Sequence, residues 1–220
     1  MFEPTITESR RIAIGEMGAR CGEELFVALR DIIAKQEKME EFKDIWKQDS
    51  TGWEQFQKGF ITGMRADLTR ALRNGGTHSP RAVMGALTEY FNAMNQYKFG
   101  LPIPKIPPSL VDMNYTPVVS GSYTAGHIMG TRLTYETQRE INQVGKGRYN
   151  QWCEFPTTYD AFSQAMARGM TSKTGLMAHD LNPSDAGFAS TILPGATMKY
   201  INALNTVGLG PLHPKQTLHV

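Results

Sequence analysis

The residues best suited to bind a ligand lie in one short segment, 145–152. It holds two glycines, two cations and two aromatic side chains, the last four being Lys146, Arg148, Tyr149 and Trp152. Because cations bind phosphates and aromatic rings stack on bases, this pattern is typical of loops that bind single-stranded nucleic acid. It is not a Walker loop, since the glycine spacing and the Ser or Thr after the lysine are missing. An ordinary basic turn anchored in a core by its aromatic residues has the same composition.

The sequence offers one candidate arrangement for nucleophilic catalysis, a cysteine thiol with a histidine as its base. Cys153 would attack, His179 would act as its base, and Asp160 or Asp180 would orient the imidazole. No local motif accompanies these residues, and a cysteine beside a tryptophan is typical of a small packed side chain. We therefore predict no catalytic residue among them.

The histidines do not form a recognisable set of metal ligands. No two of His127, His213 and His219 stand three or four residues apart, and no cysteine pair accompanies them. The acidic pairs at 23–24 and 40–41 stand among lysines and arginines, which is typical of solvated ion pairs. We predict no enzyme activity, no cofactor and no metal.

The prolines divide the chain into two unlike halves. Ten of the twelve lie between Pro102 and Pro214. Each proline fixes φ and removes a backbone donor, so long helices are expected mainly in the first half. Charge divides the same way: residues 1–100 carry 14 acidic and 14 basic side chains, whereas residues 101–220 carry 7 and 9.

Apolar residues recur every three or four positions in four stretches of the first half. The clearest begins at Thr51, which has capping-box spacing to Glu54, and ends at a pair of glycines after Asn74. The predicted helices run from Thr7 or Ser9 to about Lys35, over residues 39–46, from Thr51 to Asn74, and from Ser79 to Gly100. Residues 1–100 are therefore predicted to form a four-helix bundle-like domain.

Glycines repeat along one face of two of these predicted helices. The first helix carries Gly15, Gly18 and Gly22, and the third carries Gly59 and Gly63. Glycine inside a helix costs up to about 1 kcal/mol relative to alanine, so a repeated face of glycines indicates that another backbone comes close. That backbone belongs either to the same bundle or to a neighbouring subunit.

The segment 101–110 is predicted to be a proline-rich strap. Four prolines alternate there with Leu101, Ile103 and Ile106, which favours an extended, polyproline-like chain. Its apolar side chains need a surface to lie on. The strap therefore crosses the bundle or another subunit, or else it is a packed connector between domains.

Residues 111–220 are predicted to form a mixed, irregular region. Short strands and turns are expected over 111–130, and the stretch 129–144 fits a helix or a strand. Short helices are expected from about Thr157 and from Gly195 to Val207, and the tail from Gly208 is expected to be extended. The overall fold class is mainly α, with minor β and extended arms.

Size, charge and cysteine content favour a folded intracellular chain. It has 220 residues, a mass of 24.5 kDa, a net charge of +2 and two cysteines, which is typical of free thiols in a reducing compartment. The sequence shows neither a secretion signal nor a stretch of eighteen apolar residues. We expect assembly in the cytoplasm.

A helical domain with an apolar, proline-rich strap and an extended arm that carries few charges is typical of subunits that assemble with one another. We expect a non-enzymatic structural protein that forms homo-oligomers and contacts other structural proteins. By architectural analogy it would be part of a virus particle, as a head-to-tail adaptor ring or a coat protein. The alternatives are a single-stranded nucleic-acid-binding protein, which could also serve as a nucleocapsid coat, and a small enzyme of unknown class. No membrane partner is expected.

Overall fold

A computed structural model describes residues 6–37, 50–72, 81–97, 121–149, 156–178, 181–207 and 209. Within these ranges the protein is mainly helical, as predicted, and contains no strand. The six described helices are α1 (Glu8–Glu37), α2 (Ser50–Leu72), α3 (Arg81–Gln96), α4 (Gly121–Tyr149), α5 (Pro156–Met177) and α6 (Pro183–Thr206).

The helices predicted from periodicity in the first half are confirmed wherever that half is described. α1, α2 and α3 begin and end within a few residues of their expected positions. The short helix expected over 39–46, the strap over 101–110 and the tail from 210 lie outside the described residues. The four-helix arrangement of residues 1–100 therefore stays a prediction.

The second half is more helical than predicted. Strands and turns were expected over 111–130, but residues 121–130 belong to α4, which also includes the ambiguous stretch 129–144. Gly126 and Gly130, which suggest turns in the sequence, instead lie where α4 packs closely against α2. A glycine's helical cost is offset when its missing side chain lets two backbones approach.

α6 begins twelve residues before its predicted start at Gly195, because neither of its prolines ends it. Pro183 stands in the first turn, where no backbone donor is needed, and Asn182 caps the helix by accepting a hydrogen bond of 2.9 Å from the backbone N–H of Asp185. Pro194 lies inside the helix and is buried. Pro194 removes one backbone hydrogen bond of the helix. The hydrogen bonds of the surrounding turns and the burial of the proline side chain offset this loss.

The chain divides into two compact units. Unit 1 comprises Met1–Ala28 and Glu140–Val220, and unit 2 comprises Leu29–Arg139. α1 and α4 therefore contribute residues to both units. Unit 2 is built from α2, α3 and the adjoining parts of α1 and α4, whereas unit 1 contains α5, α6 and the remaining parts of α1 and α4.

In unit 2, α2 and α4 pack in parallel with their backbones in direct contact. A Cβ built on Gly59 would lie 2.0 Å from the carbonyl oxygen of Tyr123, and one on Gly63 would lie 2.1 Å from that of His127. The contact is reciprocal, because a Cβ on Gly126 or Gly130 of α4 would meet a carbonyl oxygen of α2 at 2.1 Å. The hydroxyl of Thr131 also donates to the carbonyl of Gly63 over 3.2 Å.

Aromatic side chains fill the space beside this helix pair. Phe56 and Phe60 of α2 are fully buried and stack with ring centroids 6.2 Å apart. Phe60 meets Phe91 of α3 edge to face at 5.6 Å, and Phe91 lies 5.3 Å from the ring of Tyr90. This aromatic cluster joins α3 to α2 and supplies much of the apolar burial in unit 2.

Unit 1 repeats the same helix contact between α1 and α5. A Cβ on Gly22 would lie 2.0 Å from the carbonyl oxygen of Met166, and one on Gly18 would lie 2.8 Å from that of Phe162. Gly169 of α5 approaches the carbonyl of Ala19 in the same way, at 1.9 Å. Both residue numbers rise together along this contact, so α1 and α5 are also parallel.

α5 and α6 form an antiparallel hairpin in unit 1. Their connection is short, and the backbone N–H of Leu181 donates to the carbonyl of Ala178 within it. At the other end of α6, the side-chain amide of Asn142 donates to the carbonyl of Leu209 over 2.9 Å. This bond ties the chain after α6 to the last part of α4.

The glycine contacts predict a sharp difference between two Gly→Ala substitutions in unit 2. In Gly63→Ala the new methyl group must push α2 and α4 apart, so we expect the free energy of unfolding to fall by about 3 kcal/mol. Gly85 of α3 is the matched control, since a Cβ there meets no atom within 4 Å. Gly85→Ala should stabilise by about 0.5–1 kcal/mol, because alanine favours the helix. Urea denaturation followed by circular dichroism measures both, and equal effects would contradict the packing described.

Candidate functional site

The predicted nucleic-acid-binding residues are only partly described. Lys146, Arg148 and Tyr149 belong to the last turns of α4, so this part of the segment is helical and not the loop that was expected. Trp152 lies outside the described residues. Binding by these four residues stays a prediction.

The two groups of predicted interface residues have different outcomes. Leu101, Ile103 and Ile106 lie outside the described residues. Gly59 and Gly63 are described, and α4 of the same chain covers them. The packing interpretation of these glycines therefore agrees with the structure, and they offer no free face to a neighbouring subunit.

The residues considered for a thiol nucleophile and for a metal site are not grouped together among the residues that the structure describes. Asp160 is exposed near the start of α5, whereas Cys153, His179 and Asp180 lie outside the described residues. His127 is half-buried in α4, where its ring centroid lies 6.4 Å from that of Tyr123. Among the residues that the structure describes, no three His, Cys, Asp or Glu side chains are grouped as metal ligands.

Exposed apolar side chains concentrate on the α5–α6 hairpin. Leu176 of α5 is 70% exposed, and Phe188 and Ile192 of α6 are 59% and 41% exposed. Phe188 and Ile192 are one helical turn apart and therefore share a face. Large apolar side chains grouped on a surface are typical of protein interfaces, whereas scattered ones need no explanation.

These two residues belong to a longer pattern that we name the α6 stripe. Its five members stand three or four positions apart along one face of α6, and all are exposed: Asp185, Phe188, Ile192, Gly195 and Lys199. A repeat of three and four residues is the spacing by which one helix presents a seam to another. The stripe has an acid at one end, a cation at the other and apolar or small residues between them.

The local structure fixes where the stripe begins. The side-chain amide of Asn182 donates to the carboxylate of Asp185, which in turn stands in the first turn of α6. Its negative charge is favourable there because it faces the positive end of the helix dipole.

A second exposed aromatic residue lies on α4 in unit 2. Tyr135 is 50% exposed, and the guanidinium carbon of Arg139 lies 5.9 Å from the centre of its ring. This is the geometry of a cation–π pair. The same helix carries Lys146 and Arg148 further along.

The most unusual charge in unit 2 is buried. The side chain of Asp67 in α2 is 2% exposed and forms an ion pair with Arg70, whose own side chain is mostly exposed. Burial raises the pKa of Asp67 above its ordinary value of 3.8, and the attraction and hydrogen bond of Arg70 only partly oppose this shift. This carboxyl group is a structural feature of unit 2 and lies apart from the α6 stripe in sequence.

No protein-family model, curated protein or solved structure matches this chain. Among the described helices, none combines the length and the apolar character that crossing a bilayer requires.

The sequence reasoning missed the α6 stripe for an identifiable reason. The predicted helix begins only at Gly195, so Asp185, Phe188 and Ile192 lie outside it in the sequence prediction. The 3-4 spacing from Asp185 to Lys199 was nevertheless visible, as was the Asn-Pro pair that starts the helix. Pro194 stands inside this spacing, and in the sequence alone an interior proline argues against a continuous helix.

Asp67 predicts a specific pH dependence of stability. Its pKa is raised in the folded state, so the folded protein holds this proton more tightly than the unfolded chain. The stabilising contribution of this protonated carboxyl group to the free energy of unfolding is fully present below pH 3.8, and it is lost as the pH rises through the higher folded pKa. The free energy of unfolding of Asp67→Asn, relative to the unmodified protein, should therefore rise with pH over this window and then level off.

Urea denaturation at a series of pH values measures this difference. Glu54→Gln on the same helix is the control, because the Glu54 side chain is mostly exposed and pairs with Lys58 at 2.5 Å. If the two variants showed the same pH-dependent difference, burial of Asp67 could not be its cause.

Proposed function

We propose that this chain is a non-enzymatic structural subunit that self-associates, and that it serves in a virus particle as a head-to-tail adaptor ring or a coat protein. The observation that carries the proposal is the exposed apolar surface on the α5–α6 hairpin. A monomer would keep Leu176, Phe188 and Ile192 in water at a cost of roughly 25 cal/mol for each Å² that stays wet. Association removes that cost.

The segments predicted to be extended add to this picture. The strap carries Leu101, Ile103 and Ile106 between prolines, and the residues after Leu209 contain two further prolines. Prolines lower the entropy cost of holding an extended segment against a neighbour. In the proposal these segments contact adjacent subunits and other structural proteins, after assembly in the cytoplasm. The placement in a virus particle is an analogy between architectures.

A second candidate function is binding to single-stranded nucleic acid, including as a nucleocapsid coat. The Tyr135–Arg139 pair favours it, because an exposed aromatic ring beside a guanidinium offers a stacking surface and a phosphate contact. Lys146 and Arg148 on the same helix, with Tyr149 and Trp152, would extend the contact. The described part of the chain supports this function less directly than it supports association, because only the Tyr135–Arg139 pair among these contacts lies in the described side chains.

Sedimentation velocity of the full chain across micromolar concentrations tests the proposal. We expect the mean mass to rise above 24.5 kDa with concentration. Serine substitutions at Leu101, Ile103 and Ile106 together should lower the assembled fraction without changing the helical circular dichroism. Ile12→Ser, at an exposed apolar residue of α1, is the control and should leave assembly unchanged.

The same experiment separates the two functions. Adding a single-stranded oligonucleotide should leave the mass unchanged if the protein assembles by itself. Assembly that requires the oligonucleotide and fades as salt is raised would favour the nucleic-acid function. A chain that stays at 24.5 kDa at every concentration and salt level, with or without the oligonucleotide, would contradict both.

A further inference from the structure

The α6 stripe is self-complementary in charge when two copies are placed antiparallel. Asp185 and Lys199 are each seven residues from Ile192, which places them about 10.5 Å on either side of it along the helix. A two-fold axis through Ile192 therefore brings Asp185 of one copy opposite Lys199 of the second copy. It does so twice, since the two copies are equivalent.

The stripe is also self-complementary in volume. The same axis brings Phe188 of one copy, about 6.0 Å from Ile192 along the helix, to within one residue of Gly195 of the second copy, which lies about 4.5 Å from Ile192, so the largest side chain of the stripe lies near its smallest residue. A Cβ built on Gly195 would meet no atom within 4 Å, so the space over this glycine is open. A glycine leaves room for a large side chain of a facing helix. In the α2–α4 contact the glycines instead receive backbone carbonyls.

The opposite orientation is unfavourable. A parallel pairing in register would place Asp185 against Asp185 and Lys199 against Lys199, and both contacts are repulsive. It would also oppose the two Phe188 rings and leave both Gly195 positions unfilled. Charge and volume therefore favour the same, antiparallel arrangement.

Residues beside the stripe enlarge the surface. Gly187, one position before Phe188, is exposed, and a Cβ there would also meet no atom within 4 Å. Gly175 of α5, whose added Cβ would lie 4.0 Å from the Cβ of Ser190, approaches α6 on the face opposite the stripe, so α5 does not cover the stripe. The apolar centre of the stripe is thus flanked at both ends by charge.

We propose that α6 pairs with α6 of a second copy of this chain, antiparallel and centred on Ile192. The inference rests on the proposed function and deepens it, because it identifies the partner and the contact surface. The contact is isologous, since each copy contributes the same five residues. It leaves the strap free to make a different contact in a larger assembly.

Charge reversal tests the orientation directly, with association of the full chain measured by sedimentation equilibrium. Asp185→Lys and Lys199→Asp each place like charges opposite one another in two symmetric pairs, so each should weaken association about tenfold. The double variant restores opposite charges and should return affinity close to that of the unmodified chain. Asp160→Lys, which reverses an exposed acid near the start of α5, is the matched control and should have no effect.

A cysteine at the centre tests the axis independently. A residue on a two-fold axis meets its own copy, so Ile192→Cys should form an intermolecular disulfide on mild oxidation. The variant is made with Cys153→Ser, and the remaining Cys21 is buried. Ile12→Cys in the same background is the control for random collisions and should cross-link far less. Both isoleucines are exposed, and thermal melting of each variant verifies that it folds.

The possible results of these experiments distinguish the α6 pairing from the broader proposal that the chain self-associates. Rescue by the double reversal together with cross-linking at residue 192 supports the α6 pairing. If the chain self-associates but neither occurs, the α6 pairing is overturned and the assembly function stands on other contacts. If the unmodified chain is monomeric under all conditions, both are overturned.

Discussion

Direct backbone contact between helices is the constraint on which the rest of this structure depends. In each unit, two glycines four residues apart on one helix meet two carbonyls four residues apart on another. Gly59 and Gly63 do so against α4, and Gly18 and Gly22 do so against α5. Side chains of ordinary size cannot fit there, so these positions accept only glycine without moving a helix. Among the described residues, both units contain this packing arrangement.

This arrangement joins helices that are far apart in the sequence. Parallel helices cannot be linked by a short turn, so α2 and α4 have α3 and its flanking segments between them. The paired glycines point inward and contact the partner helix of the same unit, so that helix covers them. On the outer face of α6, Gly187 and Gly195 have open space beside them, as Gly85 of α3 does, but on α6 the exposed side chains of Phe188 and Ile192 stand next to them. The proposed association follows from this combination of exposed apolar side chains and open glycines.

Prediction of the helices from the sequence was correct where one physical signal dominated. Apolar periodicity and caps predicted α1, α2 and α3, since those helices contain no interior proline. It failed in α4, because Gly126 and Gly130 look like turn residues until a partner backbone is known. It failed at the start of α6, because Pro194 resembles a helix break until its burial is known. The burial of Asp67 had no local signal either, since only the packed unit determines which helical face is inside.

The most direct test of the central claim, that this chain associates through α6, is hydrogen–deuterium exchange of the full chain at rising protein concentration. Association protects the amides it covers in proportion to the bound fraction. If α6 pairs with α6 of a second copy, exchange slows with concentration in residues 184–199, while the glycine-paired parts of α2 and α4 exchange at a constant rate. Concentration-independent exchange throughout α6, in a sample that is demonstrably assembled, would contradict it.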